Sequence, residues 1–359
     1  MSKNSGTQTS QKSSFSVMDW LGSFGAEDIS VDLGTSNVVV YIKKKKTLFR
    51  EASCVAQRVK TGEYIAYGMK AELMEGRTPQ SIRIIRPIDR ANIVDFDAAV
   101  YLLTSILNES YMRTLFYHLR LTICVPPAVT GLQKRALLEA AVQLGVRKTV
   151  LIDQPIAAIL GMGLDTDRMQ GAMTVDIGGG SFNISVLSKH GVIVADSGYE
   201  SGRAMDLAII SCVRDKYRVE IGNGAAERVK EMLGIRKEST GMTEFAEVAG
   251  ISLVTGLPVH VTVTGEDVAA ALRPILHIMY EKILGILQKT PPAILADVKD
   301  HGILLCGAGA LLPGLDAMIT RMTGIPAYVV ETPMYVNAMG AGISLDYMDY
   351  MRDNLSELH

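Results

Sequence analysis

Apolar residues recur along this chain in two rhythms. Short runs such as Ile29–Val31, Val38–Ile42, Leu119–Val125, Met173–Val175 and Ile184–Leu187 have the length and β-branched content of buried strands. Longer segments carry apolar residues every three or four positions and read as helices. The predicted order is strands at 28–33, 37–42, 47–50 and 53–57, then helices near 69–75 and 96–108. A strand at 119–125 is stopped by Pro126-Pro127. A helix capped by Thr130 runs to Leu144, a strand covers 148–152, and Pro155 opens a helix to Gly161. From Ala172 the pattern restarts, with a strand there and strands at 182–188 and 191–197. Helices at 203–219 and 224–233, a strand at 258–263, a helix at 265–289 and a strand at 302–306 follow. Helices near 314–323 and 334–350 come last. Two rounds of β-β-β-α-β-α predict an α/β protein of two similar domains around a cleft, with 166–171 as the crossover.

The restart is sharpest at two turns. Asp32-Leu33-Gly34-Thr35-Ser36-Asn37 follows the first apolar run, and Asp176-Ile177-Gly178-Gly179-Gly180-Ser181-Phe182-Asn183 follows Met173–Val175. Each is a strand ending in an acidic residue, a tight glycine turn, a hydroxyl, and a second strand. Glycine lets the backbone come close to a ligand and turn with successive N–H groups pointing inward, an arrangement that binds anions. Thr35, Ser36, Asn37 and Ser181 add side-chain donors. Asp32 and Asp176 would repel phosphate but can hold hydrated Mg²⁺, which takes one or two carboxylates and keeps most of its waters. An ordinary hairpin explains one such turn by itself. Two in the same setting predict a polyphosphate gripped from both sides, and hence ATP with Mg²⁺.

Composition narrows the partners. With 36 basic and 38 acidic residues the net charge is −2, and the two signs are interspersed, so there is no electrostatic footprint for nucleic acid. The run Lys43–Lys46 between two strands reads as a solvated hairpin turn. Cys54, Cys124, Cys212 and Cys306 are scattered among apolar neighbours and read as reduced core thiols of a cytosolic protein. No apolar run reaches the roughly 18–20 residues of a membrane span. Residues 1–14 are polar and low in apolar content, which predicts no packed structure. In Phe15–Phe24 a helix would place Val17, Trp20, Leu21 and Phe24 on one face. This segment is either an in-plane membrane anchor or a strap packed on the protein; the anchor is the expectation. Leu115 and Phe116, in the connection before 119–125, are a second apolar candidate, with packing beneath the domain as the alternative.

With a third glycine turn (Cys306-Gly307-Ala308-Gly309-Ala310) and Ile152-Asp153-Gln154-Pro155 between the first two, the chain resembles the actin / sugar kinase / heat-shock ATPase superfamily. It is most similar to the MreB family of bacterial actin homologues, over about 28–348. The stretches Gly76–Pro79, Ile85–Pro87, Ile93–Phe96, Val254–Pro258 and Leu311–Asp316 carry that closer likeness. The resemblance implies an actin-like ATPase fold, with domain I at 28–168 (a subdomain at about 56–88) and domain II at 169–337 (a subdomain at about 205–268). Residues 338–359 would return to domain I as a helix, and 1–27 would be the tail. It implies that Gly34–Asn37 and Gly178–Ser181 cradle the phosphates and that Gly202 presents a helix N-terminus to them. Glu227 and Lys230 would stand beside ribose and adenine, with Gly307, Ala308, Gly309 and Ala310 along the adenosine. From spacing alone, Glu227 and Lys230 simply share a helix face and could pair. The implied partners are further copies of the chain in a filament, the inner membrane surface and cell-wall elongation proteins. The implied role is determination of cell shape through peptidoglycan synthesis.

Three departures bear on catalysis. Gln154 stands where the family usually has glutamate; an amide orients water but does not take its proton. Gln154, Ser181 and Asp176 are thus the expected residues around the attacked phosphate, with slow hydrolysis. Ser181 replaces a threonine. Arg203 replaces the aspartate usual after Gly202, and is expected to face solvent. Asn223, Gly224 and Ala225 replace family residues near the ribose. Rival readings are a filament subunit that binds ATP without cleaving it, and a sugar-kinase-like enzyme, which would need a further catalytic aspartate. A heat-shock chaperone would need a substrate domain for which there is no room.

Overall fold

The computed structural model describes residues 27–346 apart from 91, 112–118, 127–128, 147, 165–169 and 236–243, together with 356–357. In the N-terminal half, β1 (Glu27–Leu33), β2 (Asn37–Ile42) and β3 (Thr47–Ala52) form an antiparallel meander. A small sheet of β4 (Val55–Arg58), β5 (Tyr64–Tyr67) and β6 (Ile82–Ile85) follows, with the short helix α1 (Gly68–Glu72) inside it. Then come the hairpin β7 (Ile88–Asp89) and β8 (Asn92–Ile93), helix α2 (Phe96–Tyr111), β9 (Leu119–Val125), α3 (Gly131–Gln143), β10 (Lys148–Asp153) and α4 (Gln154–Gly161). Thr130 caps α3 in a reciprocal capping box with Gln133, as its position before the apolar run predicted. The main sheet has the order β3-β2-β1-β9-β10, with β1, β9 and β10 parallel.

The C-terminal half repeats this plan. It contains β11 (Ala172–Ile177), β12 (Phe182–Ser188), β13 (Gly191–Gly198), α5 (Gly202–Tyr217), β14 (Val219–Glu220), α6 (Asn223–Leu233), β15 (Phe245–Ser252), β16 (Pro258–Thr264) and the long α7 (Gly265–Lys289). The remaining elements are α8 (Pro292–His301), β17 (Ile303–Cys306), α9 (Leu315–Thr323), β18 (Ala327–Val329), α10 (Val336–Ser344) and β19 (Ser356–Glu357), the last pairing with β10. The second sheet runs β13-β12-β11-β17-β18, again an antiparallel meander whose first strand continues into two parallel neighbours. The duplication extends to register. Asp32 lies opposite Val39 on one side and Cys124 on the other, and Asp176 lies opposite Asn183 and Cys306.

Several elements differ from expectation, among them the short strands β5 to β8, β14, β18 and β19, which are too brief to leave an apolar run of their own. Strand β15 was not predicted, because Glu247 and Gly250 break its apolar run. It nonetheless alternates buried and exposed positions along most of its length and pairs with all of β16. Helix α8 was not predicted; its Pro292 stands at the first helical position, where proline is tolerated because the N–H there has no partner. The last predicted helix, near 334–350, spans only Val336–Ser344, and within the expected returning helix of 338–359 residues Ser356–Glu357 instead pair with β10 as a strand.

Each sheet packs its own apolar core, and a third cluster joins them. At that junction α4 crosses α10 with no room for side chains. A Cβ on Gly161 would lie 2.1 Å from the Val336 carbonyl oxygen, and one on Gly340 would lie 1.7 Å from that of Ala157. This crossing brings the first turns of two helices, one from the end of each half, to the same point between the sheets.

Candidate functional site

The two strand-end aspartates meet at that point. Asn337, in the first turn of α10, donates from Nδ2 to Asp176 Oδ2 at 2.7 Å and to Asp32 Oδ2 at 3.3 Å. Gln154, the first residue of α4, donates from Nε2 to the other Asp32 oxygen at 3.0 Å. A chain Gln154–Asp32–Asn337–Asp176 therefore spans the two halves. Its electrostatics are unfavourable to two free negative charges. Burial raises the Asp32 carboxyl above its usual range despite the Gln154 and Asn337 hydrogen bonds. Asp176 is pushed up to about 6, by burial first and by Asp32 second. The outer oxygens of both amides, Gln154 Oε1 and Asn337 Oδ1, are buried and have no hydrogen-bond partner. Buried acceptors are normally satisfied, so these two oxygens suit a ligand or water that donates to them.

The glycine turns close over this chain. Each is pinned the same way: Gly34 N–H donates to the Asn37 carbonyl at 3.0 Å, and Gly178 N–H to that of Ser181 at 2.9 Å. The turns face each other so closely that a Cβ on Gly179 would strike Ser36 Oγ at 1.9 Å, and one on Gly180 would strike Thr35 at 2.4 Å. In the third turn Gly307 has φ +78°, and a Cβ there would lie 2.5 Å from Asp176 Oδ1. Ala308 and Gly309 continue into a 3₁₀ turn, with Gly309 against Ile177 and Ala310 buried. Gly307–Ala310 thus abut the strand end that carries Asp176.

The predicted residues beyond the loops distribute unevenly. The Gly202 and Arg203 amides, at the start of α5, donate to the Gly178 and Gly179 carbonyls at 3.0 and 2.9 Å, which ties the helix to the triple-glycine loop. Lys230 reaches the same helix start. Its Nζ lies 3.3 Å from the Gly202 carbonyl and pairs with Asp206 at 2.7 Å, both side chains being mostly buried. Among the described residues Lys230 has its ion pair with Asp206 and not with Glu227, which is exposed one turn back on α6. Ser181 borders an interdomain cavity of about 80 Å³ with Asn183, Ser197 and Arg90. The Arg90 guanidinium lies 4.9 Å from the centre of the Tyr199 ring. The expectation that Arg203 faces solvent is corrected: its Nη2 is buried, and it looks toward charges of the opposite half.

Sequence reasoning missed Asn337 and Asp206. The signal for Asn337 was a lone amide at the head of a small-residue run, Ala338, Gly340, Ala341 and Gly342; Asp206 offered none. Lys43–Lys46 form the β2–β3 turn, Lys44 to Lys46 being exposed and Lys43 pairing with Asp346. All four cysteines are free thiols, three of them buried. Trp20, Leu21, Phe24, Leu115 and Phe116 lie outside the described residues. Among the described residues no helix is long and apolar enough to cross a membrane.

Known proteins share this arrangement. The cell shape-determining protein Mbl of Bacillus subtilis (strain 168) is 34% identical over 324 residues, covering 90% of this chain and 97% of that protein. The cell shape-determining protein MreB of Escherichia coli (strain K12) is 35% identical over 332 residues, covering 90% and 94%. Crystal structures of MreB5 of Spiroplasma citri, one bound to ADP and one to AMPPNP, superpose with TM-scores of 0.85 and 0.86 at 27% identity, over 92% of this chain and 99% of that one. MamK in its double helical filament shares the fold, with a TM-score of 0.76 at 21% identity over 90% of this chain and 99% of that one. The MreB/Mbl protein model matches residues 26–353. Duplicated sheets, paired aspartate–glycine turns and these likenesses together establish an actin-like fold, and the chain belongs to the MreB/Mbl family.

Proposed function

We propose that this chain is an ATP-binding cytoskeletal protein. It polymerises into filaments on the inner face of the membrane, hydrolyses ATP slowly, and helps set cell shape by organising cell-wall synthesis. The observation that carries the nucleotide reading is the pair of strand-end carboxylates, Asp32 and Asp176, bridged by Asn337 between two facing glycine turns. Cell-shape determination and filament formation come from its relatives.

The residues fit magnesium and a polyphosphate. Two buried carboxylates that resist joint ionisation match a cation that takes one or two carboxylates and completes its shell with water and phosphate oxygens. Among the described residues no three His, Cys, Asp or Glu side chains gather to cage a metal by themselves. Bound magnesium would neutralise charge on the phosphates. Asp32 and Asp176 would hold its hydration shell, and Gly34–Asn37 with Gly178–Ser181 would take the phosphate oxygens. Gly307–Ala310, Glu227 and Lys230 would border the nucleoside. Positions where any Cβ would collide explain why these turns are glycine: the backbone itself forms the wall.

Gln154 sets the rate. Its NH₂ donates to Asp32, which leaves Oε1 as a buried acceptor without a partner. That oxygen can orient a water through one hydrogen bond but cannot take up its proton at neutral pH. Phosphoryl transfer depends chiefly on positioning and charge, so hydrolysis is slowed and not abolished. The same observation supports one alternative, a filament subunit for which ATP is only a structural ligand.

Calorimetric titration of the full chain with ATP, with and without Mg²⁺, tests the central reading. We expect magnesium-dependent binding, and a chain that binds no ATP in either condition overturns it. Phosphate release measured beside electron microscopy separates slow hydrolysis from none. For the membrane, burying each large apolar side chain of the tail stabilises by about 1.5–3 kcal/mol, which is marginal singly and firm across a filament. Deleting residues 1–26 should sharply lower co-sedimentation with liposomes; unchanged binding rejects the tail as anchor.

A further inference from the structure

Arg203 has a role that the cradle by itself does not explain. Its backbone N–H is bonded to Gly179 of the triple-glycine loop, so the residue stands directly over the phosphate turn of the C-terminal half. Its side chain is partly buried and lies within the electrostatic reach of the N-terminal half. Burial of this side chain disfavours its charge and Arg86, between β6 and β7, repels it, whereas Asp89 in β7, Glu75 just after α1 and Cys54 act in its favour. Arg86 is compensated, pairing with Glu75 at 2.6 Å and Glu72 at 3.4 Å. Arg203 is not fully compensated: Nη2 is buried and meets no acceptor.

A guanidinium presents five donors in a rigid planar fork suited to phosphate oxygens. Leaving one of them buried and unpaired is unfavourable, and the charge of a second guanidinium, Arg86 of the opposing half, adds like-charge repulsion. Both penalties vanish if a dianionic group lies between the two halves at this point. Moreover, the first two amides of α5 already bond the loop carbonyls, so at this end of the cradle a side-chain donor such as Arg203 adds what those two N–H groups do not offer. We propose that Arg203, backed by Arg86 across the cleft, binds the terminal phosphate of a nucleoside triphosphate. It thereby makes closure of the two halves depend on the third phosphate. The aspartate that the family usually carries here would repel that group. This inference rests on the nucleotide reading above. The terminal phosphate is the appropriate partner because it bears the most charge and is the group that hydrolysis removes. A residue spanning the cleft then distinguishes the nucleotide before cleavage from the nucleotide after it.

The test is calorimetric titration of the full-length chain with AMPPNP and with ADP, each with Mg²⁺, for wild type, Arg203→Ala and Arg203→Lys. Thermal unfolding without nucleotide is measured in parallel. Loss of a charge-assisted hydrogen bond predicts at least about tenfold weaker AMPPNP binding by Arg203→Ala, with ADP binding changed less than about threefold. Arg203→Lys should recover part of the loss. Without nucleotide, Arg203→Ala should melt no lower than wild type, because the removed donor was unpaired. If wild type binds neither nucleotide, the parent reading fails. If wild type binds both and Arg203→Ala weakens both equally, or neither, this inference alone is overturned. Should Arg203→Ala fail to fold, Arg203→Lys decides on the same ratio.

Discussion

Replacing Asp176 with asparagine removes one charge from the cleft and leaves its shape. The structure sets the size of the effect. An ordinary aspartate titrates near 3.8, and Asp176 is pushed up to about 6 by burial and by Asp32. At about 1.4 kcal/mol per pH unit, the ionised form in the folded protein is disfavoured by roughly 3 kcal/mol. Because the folded pKa is raised, the folded protein still holds this proton between about pH 4 and pH 6, where the unfolded chain has released it. Stability from this group therefore falls as pH rises through that window and stays low above it. Asp176→Asn has no proton to lose, and its side-chain oxygen can still accept the Asn337 hydrogen bond. Without nucleotide, the variant should be more stable than wild type by about 2–3 kcal/mol at pH 8, and close to wild type near pH 4. Urea unfolding at the two pH values measures this. The same variant should lose magnesium-dependent nucleotide binding, so that stability and ligand affinity move in opposite directions. A variant less stable than wild type at pH 8, or displaced equally at both pH values, refutes the electrostatic account of the pair.

Three further outcomes are expected. Gln154→Glu places a proton acceptor in the cleft and a third carboxylate beside Asp32; phosphate release should rise about 10²-fold, at the lower end of general-base effects, while the nucleotide-free protein melts earlier. An unchanged release rate would show that water activation does not limit the step. Gly340→Ala inserts a methyl 1.7 Å from the Ala157 carbonyl and should destabilise by about 1–3 kcal/mol. It should also weaken nucleotide binding, since Gln154 and Asn337 ride on the two helices it separates; wild-type melting and titration curves would contradict the packing. Gly285→Ala, inside α7 with nothing within 4 Å of the new Cβ, should instead raise stability by about 0.5–1 kcal/mol in denaturant titration.

Much of the site is legible in the chain because its chemistry is local. A short apolar run, an acidic residue at its end and a glycine turn occupy about ten consecutive residues, so the copies around Asp32 and Asp176 are both visible in the chain. Helix starts are local too, as the Thr130–Gln133 capping box shows. Glycine positions with positive φ or a blocked Cβ, such as Gly307 beside Asp176, leave a sequence trace even though the obstructing atom is distant. Strands whose buried face is interrupted, such as β15, leave a weaker trace, because their partner strand decides which side is covered.

What only the tertiary structure decides is partnership between distant polar groups. Asn337 joins two aspartates that lie 305 and 161 residues away along the chain. Nothing in its neighbours names either one. Lys230 takes Asp206 on another helix in preference to Glu227 on its own, because burial between α5 and α6 favours a mostly buried pair over an exposed one. Arg203 turns inward toward Arg86, Asp89 and Glu75 for the same kind of reason: the halves approach there, and exposure is set by what approaches. Sequence by itself determined the duplicated strands, the glycine turns and the acidic residues they present, since backbone geometry and short-range sterics specify these. Folding decided which charges are buried, which are paired and which remain without a partner, since electrostatic energies depend on distance and surrounding dielectric, which only the packed structure sets.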